Sequence, residues 1–142
     1  MAVNMKNKSL IEIHHLTHEE VWQIFDLSRT LKEKRLTGEP HKLLEGKKLG
    51  MIFSKPSTRT RVSFEVGIFE LGGTGLYFNQ NDLQLKKSEN VHDTAKVLSR
   101  YLDGIMIRTF DHQDVIDLAK YGSIPVINGL TDLHHPCQVL TD

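Results

Sequence analysis

The sequence predicts an α/β fold, a three-layer sandwich with a mainly parallel four-stranded sheet and helices on both faces. Three observations predict it. Short apolar runs recur along the chain, Leu49 to Phe53, Leu76 to Phe78, Gly104 to Ile107 and Ile124 to Ile127, each ending in a polar turn. The runs are near-continuous rather than alternating, as expected of strands buried on both faces of a parallel sheet. Helical stretches follow the first three runs, and strand–helix alternation is the pattern of parallel α/β folds. At 142 residues, 39% hydrophobic and 25% charged, the chain has the size and composition of one globular domain spanning residues 1–142.

Taken in order, the first element is a helix. Thr17-His18-Glu19-Glu20 is a capping box: the Thr17 hydroxyl accepts the amide three residues on, and Glu20 reaches back. Val21, Ile24, Phe25 and Leu31 give this helix an apolar stripe, and Gly38 with Pro40 ends it. The Leu49 to Phe53 strand leads into a helix over Thr58 to Leu71, stopped by Gly72-Gly73-Thr74-Gly75. That glycine run precedes a strand instead of joining a strand to a helix, so it fits neither a dinucleotide fingerprint nor a P-loop. The next two helices cover Glu89 to Leu102 and Gln113 to Tyr121, and Asn128-Gly129 reads as the turn after the fourth strand. Pro136 to Asp142 looks like a helix that has only begun, with Pro at its first position, so we expect a fragment or a separately made domain.

Bulk composition narrows the function classes. Lys+Arg and Asp+Glu both number 18, so no overall field draws the chain to nucleic acid or to an anionic membrane. Any anion site must be local. The one cysteine, Cys137, excludes an internal disulfide framework and fits a reducing, cytoplasmic setting. Glu12 and His14 interrupt the apolar residues Leu10, Ile11 and Ile13, so neither a signal peptide nor a membrane span is read near the start. His14, His15 and His18 could hint at a metal, but no Cys or carboxylate spacing supports a site; a structural or surface role is expected.

Three cues carry chemistry. Between Glu45 and Glu65 stand five basic residues, Lys47, Lys48, Lys55, Arg59 and Arg61, and no acidic ones. They coincide with a strand-to-helix turn where Pro56 disfavours helical geometry at Lys55 and Ser57 is placed to cap. A helix start presents unpaired amides and the positive end of the macrodipole, which suits a phosphate. Ser57, Thr58 and Thr60 add hydroxyl donors, and Arg59 can grip two phosphate oxygens at once. Arg59 and Arg61 face nearly opposite ways, because a helix turns about 100° per residue; Arg59 is assigned to the ligand and Arg61 to a structural pair with Glu65. The bland alternative is a solvated basic helix start. The second cue is Arg108, the first charged residue after the third strand, at the carboxyl edge where open α/β sheets gather ligands. Its alternative is an ion pair with Asp111 or Asp114. The third is His134-His135-Pro136-Cys137-Gln138, after the fourth strand and on the same edge. His135 can donate to a carbonyl oxygen and Gln138 can donate and accept, whereas the plain alternative is a polar turn with Cys137 packing.

Those residues resemble a known family. Ser57-Thr58-Arg59-Thr60-Arg61-Val62-Ser63-Phe64-Glu65 is similar to the carbamoyl-phosphate signature of the aspartate and ornithine carbamoyltransferases, and His135-Pro136-Cys137-Gln138 resembles the second motif of the ornithine branch. The likeness continues through Asp93 to Tyr101 and covers the chain from about Leu10 onward. It implies a carbamoyl-phosphate-binding domain whose partner, an amino-acid-binding domain, is absent. It also implies a reaction without metal or organic cofactor, in which an amine attacks carbamoyl phosphate. By the same resemblance Ser57, Thr58, Arg59 and Thr60 hold the phosphate, and Arg108, His135 and Gln138 contact the carbamoyl end. The family is completed as a homotrimer by a loop from a neighbouring subunit, here Asp82-Leu83-Gln84-Leu85 with Gln84 as the contributing side chain; Lys86 and Lys87 beside it read as a solvated loop tip. Ornithine leads as acceptor, ahead of putrescine or aspartate.

Rival readings come from other classes. One is a non-catalytic anion-binding or trimerisation module. Another is a single-stranded RNA binder using the basic turn with Phe53 and Phe64, against which the zero net charge counts.

Overall fold

The computed structural model describes residues 4–54, 56–79 and 88–141. Four strands, β1 (Lys48–Phe53), β2 (Thr74–Asn79), β3 (Gly104–Arg108) and β4 (Val126–Leu130), form one sheet in the order β2-β1-β3-β4. Every pairing is parallel. The helices are α1 (His18–Thr37), α2 (Thr58–Glu70), α3 (Ser88–Tyr101), α4 (His112–Tyr121) and α5 (Pro136–Thr141).

Side-chain alternation on the strands divides the core in two. Ile52, Ile105, Ile107 and Val126 face α3 and α4, where they meet Val91, Ala95, Leu98, Val115 and Leu118. Met51, Phe53 and Met106 point to the other face, with Phe64 of α2 packed against them. Strands filled on both faces explain why the sequence runs are continuous rather than alternating.

Helix α1 begins and ends as its sequence dictates. The Thr17 hydroxyl accepts from the Glu20 amide at 3.1 Å, and Glu20 Oε1 accepts from the Thr17 amide at 2.9 Å. Gly38 closes the helix in the left-handed region, φ 75°. Its apolar stripe is only half covered: Val21, Ile24 and Leu31 are partly buried, Phe25 is exposed, and the one fully buried residue is Glu20. Lys8 donates to Glu20 Oε1 at 2.6 Å, which satisfies that buried carboxylate. The expected stop after α2 is also present, since Gly72 takes φ 93°, a conformation that a side chain would strain.

The fourth strand departs from expectation. It lies over Val126–Leu130 rather than Ile124 to Ile127, and Asn128-Gly129, read as a turn, is inside it. Pro125 has no N–H to give a ladder, which delays the strand's start. Asn128 stays extended because its buried amide finds a distant partner, donating to the Ile11 carbonyl at 3.0 Å. Gly129 permits a close approach to β3, for a Cβ there would lie 2.7 Å from Met106 Sδ. The chain before α1 covers the outer edge of β4: the Leu10 amide donates to Val126 O at 2.9 Å and the Asn128 amide to Leu10 O at 2.8 Å.

Candidate functional site

The strand order places the switch point of the sheet between β1 and β3, since the chain leaves β1 for β2 on one side and crosses to β3 on the other. Ligands in open α/β sheets bind in the crevice beyond the carboxyl ends at this point. Phe53, the last residue of β1, is in register with Arg108, the last of β3. The turn after β1 and the side chain ending β3 are therefore neighbours.

Ser57 caps α2 from extended backbone, φ −155°, ψ 110°, and its hydroxyl accepts from the Thr60 amide at 3.3 Å. The Arg61 amide donates to Ser57 O at 3.2 Å. That leaves the first-turn amides of Thr58 and Arg59 without partners inside the helix. Arg108 Nη1 donates to Thr60 Oγ1 at 3.1 Å, tying β3 to the start of α2. The backbone helps: Arg108 O accepts from the Ser54 amide at 2.9 Å and from Ser54 Oγ at 3.2 Å. Arg108 Nε is buried with no hydrogen-bond partner among the described residues. It does not take up the ion pair with Asp111 or Asp114 that was its alternative reading.

The turn ahead of α5 is held from below. His134 O accepts from the Thr131 amide at 2.9 Å, from Thr131 Oγ1 at 3.3 Å and from Asn128 Nδ2 at 3.4 Å. His135 and Gln138 follow on this anchored turn. Asn128 and Thr131, both buried, thus position the site, and sequence reasoning missed them because Asn128 carried a local turn signal and Thr131 none. Burial pushes the thiol of Cys137 up to about 11, so it is a protonated packing group at neutral pH, with Sγ donating to Asn128 O at 3.6 Å.

Ser57, Thr58, Arg59, Thr60, Arg108, His135 and Gln138 line one cleft of about 380 Å³. Two guanidiniums face it and no carboxylate lines it. Arg61 points elsewhere: its Nε is 3.5 Å from Glu65 Oε2, and its guanidinium lies 3.9 Å from the centre of the Tyr77 ring. Gln84 and the loop 82–85, read in the sequence as serving a neighbouring subunit, lie outside the described residues, as do Lys55, Lys86 and Lys87. A second cleft of about 400 Å³ is lined by Phe110, Asp111, His112, Gln113, Ile116, Asp132 and Leu133; its two carboxylates and lack of Arg or Lys make it a poor seat for a phosphate.

The sequence profile of the aspartate/ornithine carbamoyltransferase carbamoyl-P binding domain matches residues 8–142. The chain belongs to the aspartate/ornithine carbamoyltransferase family. Among carbamoyltransferases, it is 57% identical to the ornithine carbamoyltransferase of Pyrococcus abyssi, over all of this chain and 45% of that protein. It is 55% identical to that of Bacillus cereus, over 97% of this chain and 42% of the relative. Its fold superposes on the ornithine carbamoyltransferase of Pyrococcus furiosus with a TM-score of 0.95 at 55% identity, covering 99% of this chain and 45% of that one. For the catalytic subunit of M. jannaschii aspartate transcarbamoylase the values are 0.80 and 36%, over 94% of this chain and 44% of that one. The chain thus spans less than half the length of the carbamoyltransferases it matches.

Proposed function

We propose that this chain is the carbamoyl-phosphate-binding half of an ornithine carbamoyltransferase, which makes L-citrulline and inorganic phosphate from carbamoyl phosphate and L-ornithine. One observation carries the reading: Ser57, Thr58, Arg59, Thr60, Arg108, His135 and Gln138, from three separate strand ends, line a single cleft that has two guanidiniums and no carboxylate. The relatives named as ornithine carbamoyltransferases at 51 to 57% identity favour ornithine over aspartate or putrescine as acceptor.

Ser57, Thr58, Arg59 and Thr60 hold the phosphate with hydroxyls, helix-start amides and a bidentate guanidinium. Arg108, His135 and Gln138 contact the carbamoyl oxygen and nitrogen. The neutral amine of the acceptor attacks the carbonyl carbon, forming an N–C bond and a tetrahedral oxyanion that these donors stabilise. The bond from the carbonyl carbon to the oxygen bridging phosphorus then breaks, its electron pair leaves with phosphate, and the attacking nitrogen gives up its proton to the departing phosphate. Much of the rate comes from holding two reactants in register, so a second, amino-acid-binding domain is required beyond residues 1–142. Subunits associate as a cytoplasmic homotrimer in which Gln84 serves the neighbour's cleft.

Calorimetry with phosphonoacetamide, a stable analogue of carbamoyl phosphate, tests the binding half. The analogue is expected to bind more tightly than inorganic phosphate, and Arg59→Ala to weaken it by about a hundredfold, the value of one bidentate charged contact. Equal affinity for phosphate and analogue would point to a bare anion-binding module. A robust citrulline-forming rate from this chain alone would overturn the need for a second domain.

A further inference from the structure

Away from the phosphate cleft, four imidazoles converge on one carboxylate. Glu12 Oε1 lies 2.8 Å from His112 Nε2 and 3.3 Å from His134 Nε2. Glu12 Oε2 lies 2.8 Å from His14 Nε2 and 3.4 Å from His15 Nε2. The fold makes this cluster. Pairing of residues 9–11 along β4 delivers Glu12 to the carboxyl edge of the sheet, where the turn after β3 brings His112 and the turn after β4 brings His134.

From this arrangement we infer a binding site for a borderline divalent cation of the Zn²⁺ class, held by Glu12, His112 and His134, with solvent in the remaining position. The ligand atoms of the triad all lie within 4.8 Å of one another. In a tetrahedral zinc site with bonds near 2.0 Å the ligand atoms are about 3.3 Å apart, so a small side-chain adjustment would close the triad around an ion. Imidazole and carboxylate are the donors such an ion prefers.

The surroundings of His112 fit a ligand. Its side chain is 5% exposed, and Nδ1 is 2.8 Å from Thr131 Oγ1. That hydroxyl has one hydrogen and lies 3.3 Å from His134 O, which it can serve as donor. Thr131 then accepts from His112 Nδ1–H, and Nε2 presents its lone pair towards Glu12. A lone pair 2.8 Å from a carboxylate needs a proton or a cation between them. A partner that fixes the tautomer of a histidine in this way is the usual companion of a metal-bound imidazole.

An ion here would fasten three segments together: the strand-like lead into α1, the turn that follows Arg108 and the turn that carries His135. Its role is structural, since none of Glu12, His112 and His134 lines the phosphate cleft. The test is zinc uptake by the tag-free chain, measured by equilibrium dialysis with elemental analysis and by thermal melting. The expected result is saturable uptake of one ion per chain and a Tm raised by at least about 5 °C at a hundredfold excess over Kd. Glu12→Gln and the half-exposed His134→Ala should each weaken uptake more than tenfold, while His18→Ala, outside the cluster, should leave it unchanged. Co²⁺ should give the visible d–d bands of a four-coordinate site in the wild type and lose them in His134→Ala. Absence of saturable uptake, or uptake that survives Glu12→Gln and His134→Ala combined, would overturn the inference and leave a network held by protons alone.

Discussion

At the start of α4, Asp114 stands between two further carboxylates, and the three do not share one environment. Asp111 caps the helix by accepting from the Gln113 amide at 3.0 Å, and Asp117 accepts from Gln113 Nε2 at 2.9 Å. Asp114 is partly buried, and its carboxyl is raised from the ordinary 3.8 to about 6, first by desolvation and then by the charges of Asp111 and Asp117. Folding therefore favours the protonated form. Between about pH 4 and pH 6 the folded chain binds more protons than the unfolded chain, so this group lowers stability as pH rises through that window. A shift of this size in an enclosed site is worth about 3 kcal/mol, and solvent screening of a half-exposed group reduces it to about 1 kcal/mol. The field of the helix start acts the other way, by about 0.3 to 1 kcal/mol. Asp114→Asn should accordingly raise Tm at pH 7.5 and leave it unchanged below pH 4. A variant less stable than wild type at pH 7.5 would mean that the helix field wins.

Elements whose signals are local were legible in the sequence. The Thr17–Glu20 box and Gly38 frame α1, and Ser57 after a proline marks the start of α2, because each device acts within four residues. The cleft was legible for a related reason: Ser57 to Thr60, Arg108, His135 and Gln138 each follow an apolar run directly, and a parallel sheet puts all such ends on one edge. β4 was misplaced because its register depends on Asn128 finding Ile11 O, a contact 117 residues apart. The Glu12 cluster was invisible for the same cause, since Glu12 and His112 are separated by 100 residues. Asn128 links both errors, and its loss should be felt in β4 and in the site together. Asn128→Ala leaves the Ile11 and His134 carbonyls short of a buried donor, at a cost of about 1 to 3 kcal/mol in stability. It also frees the His134 turn, so phosphonoacetamide affinity should fall several-fold at a temperature where the variant is still folded. Unchanged affinity with lowered stability would detach Asn128 from the site.

The molecule as a whole leaves an apolar stripe on α2 open to solvent. Val62, Val66 and Phe69 are 51%, 45% and 77% exposed, and their spacing of four and three residues puts them on one side of the helix. The opposite side of α2 packs Phe64 and Ile68 toward the sheet, so the stripe is not needed for the core. Exposed apolar side chains aligned in this way are characteristic of contacts between chains. The helix also begins at the cleft, so a neighbour seated on its side would bring that neighbour's own loops near Ser57 to Thr60, as the role proposed for Gln84 requires. Light scattering on the purified chain should then give about three times its 16.2 kDa mass. Charges placed in the stripe, Val66→Glu with Phe69→Glu, should reduce the particle to a monomer with the circular dichroism of the wild type. A wild-type chain already monomeric at high micromolar concentration would show that residues 1–142 do not trimerise by themselves, and that any service from Gln84 to a neighbour depends on contacts made elsewhere.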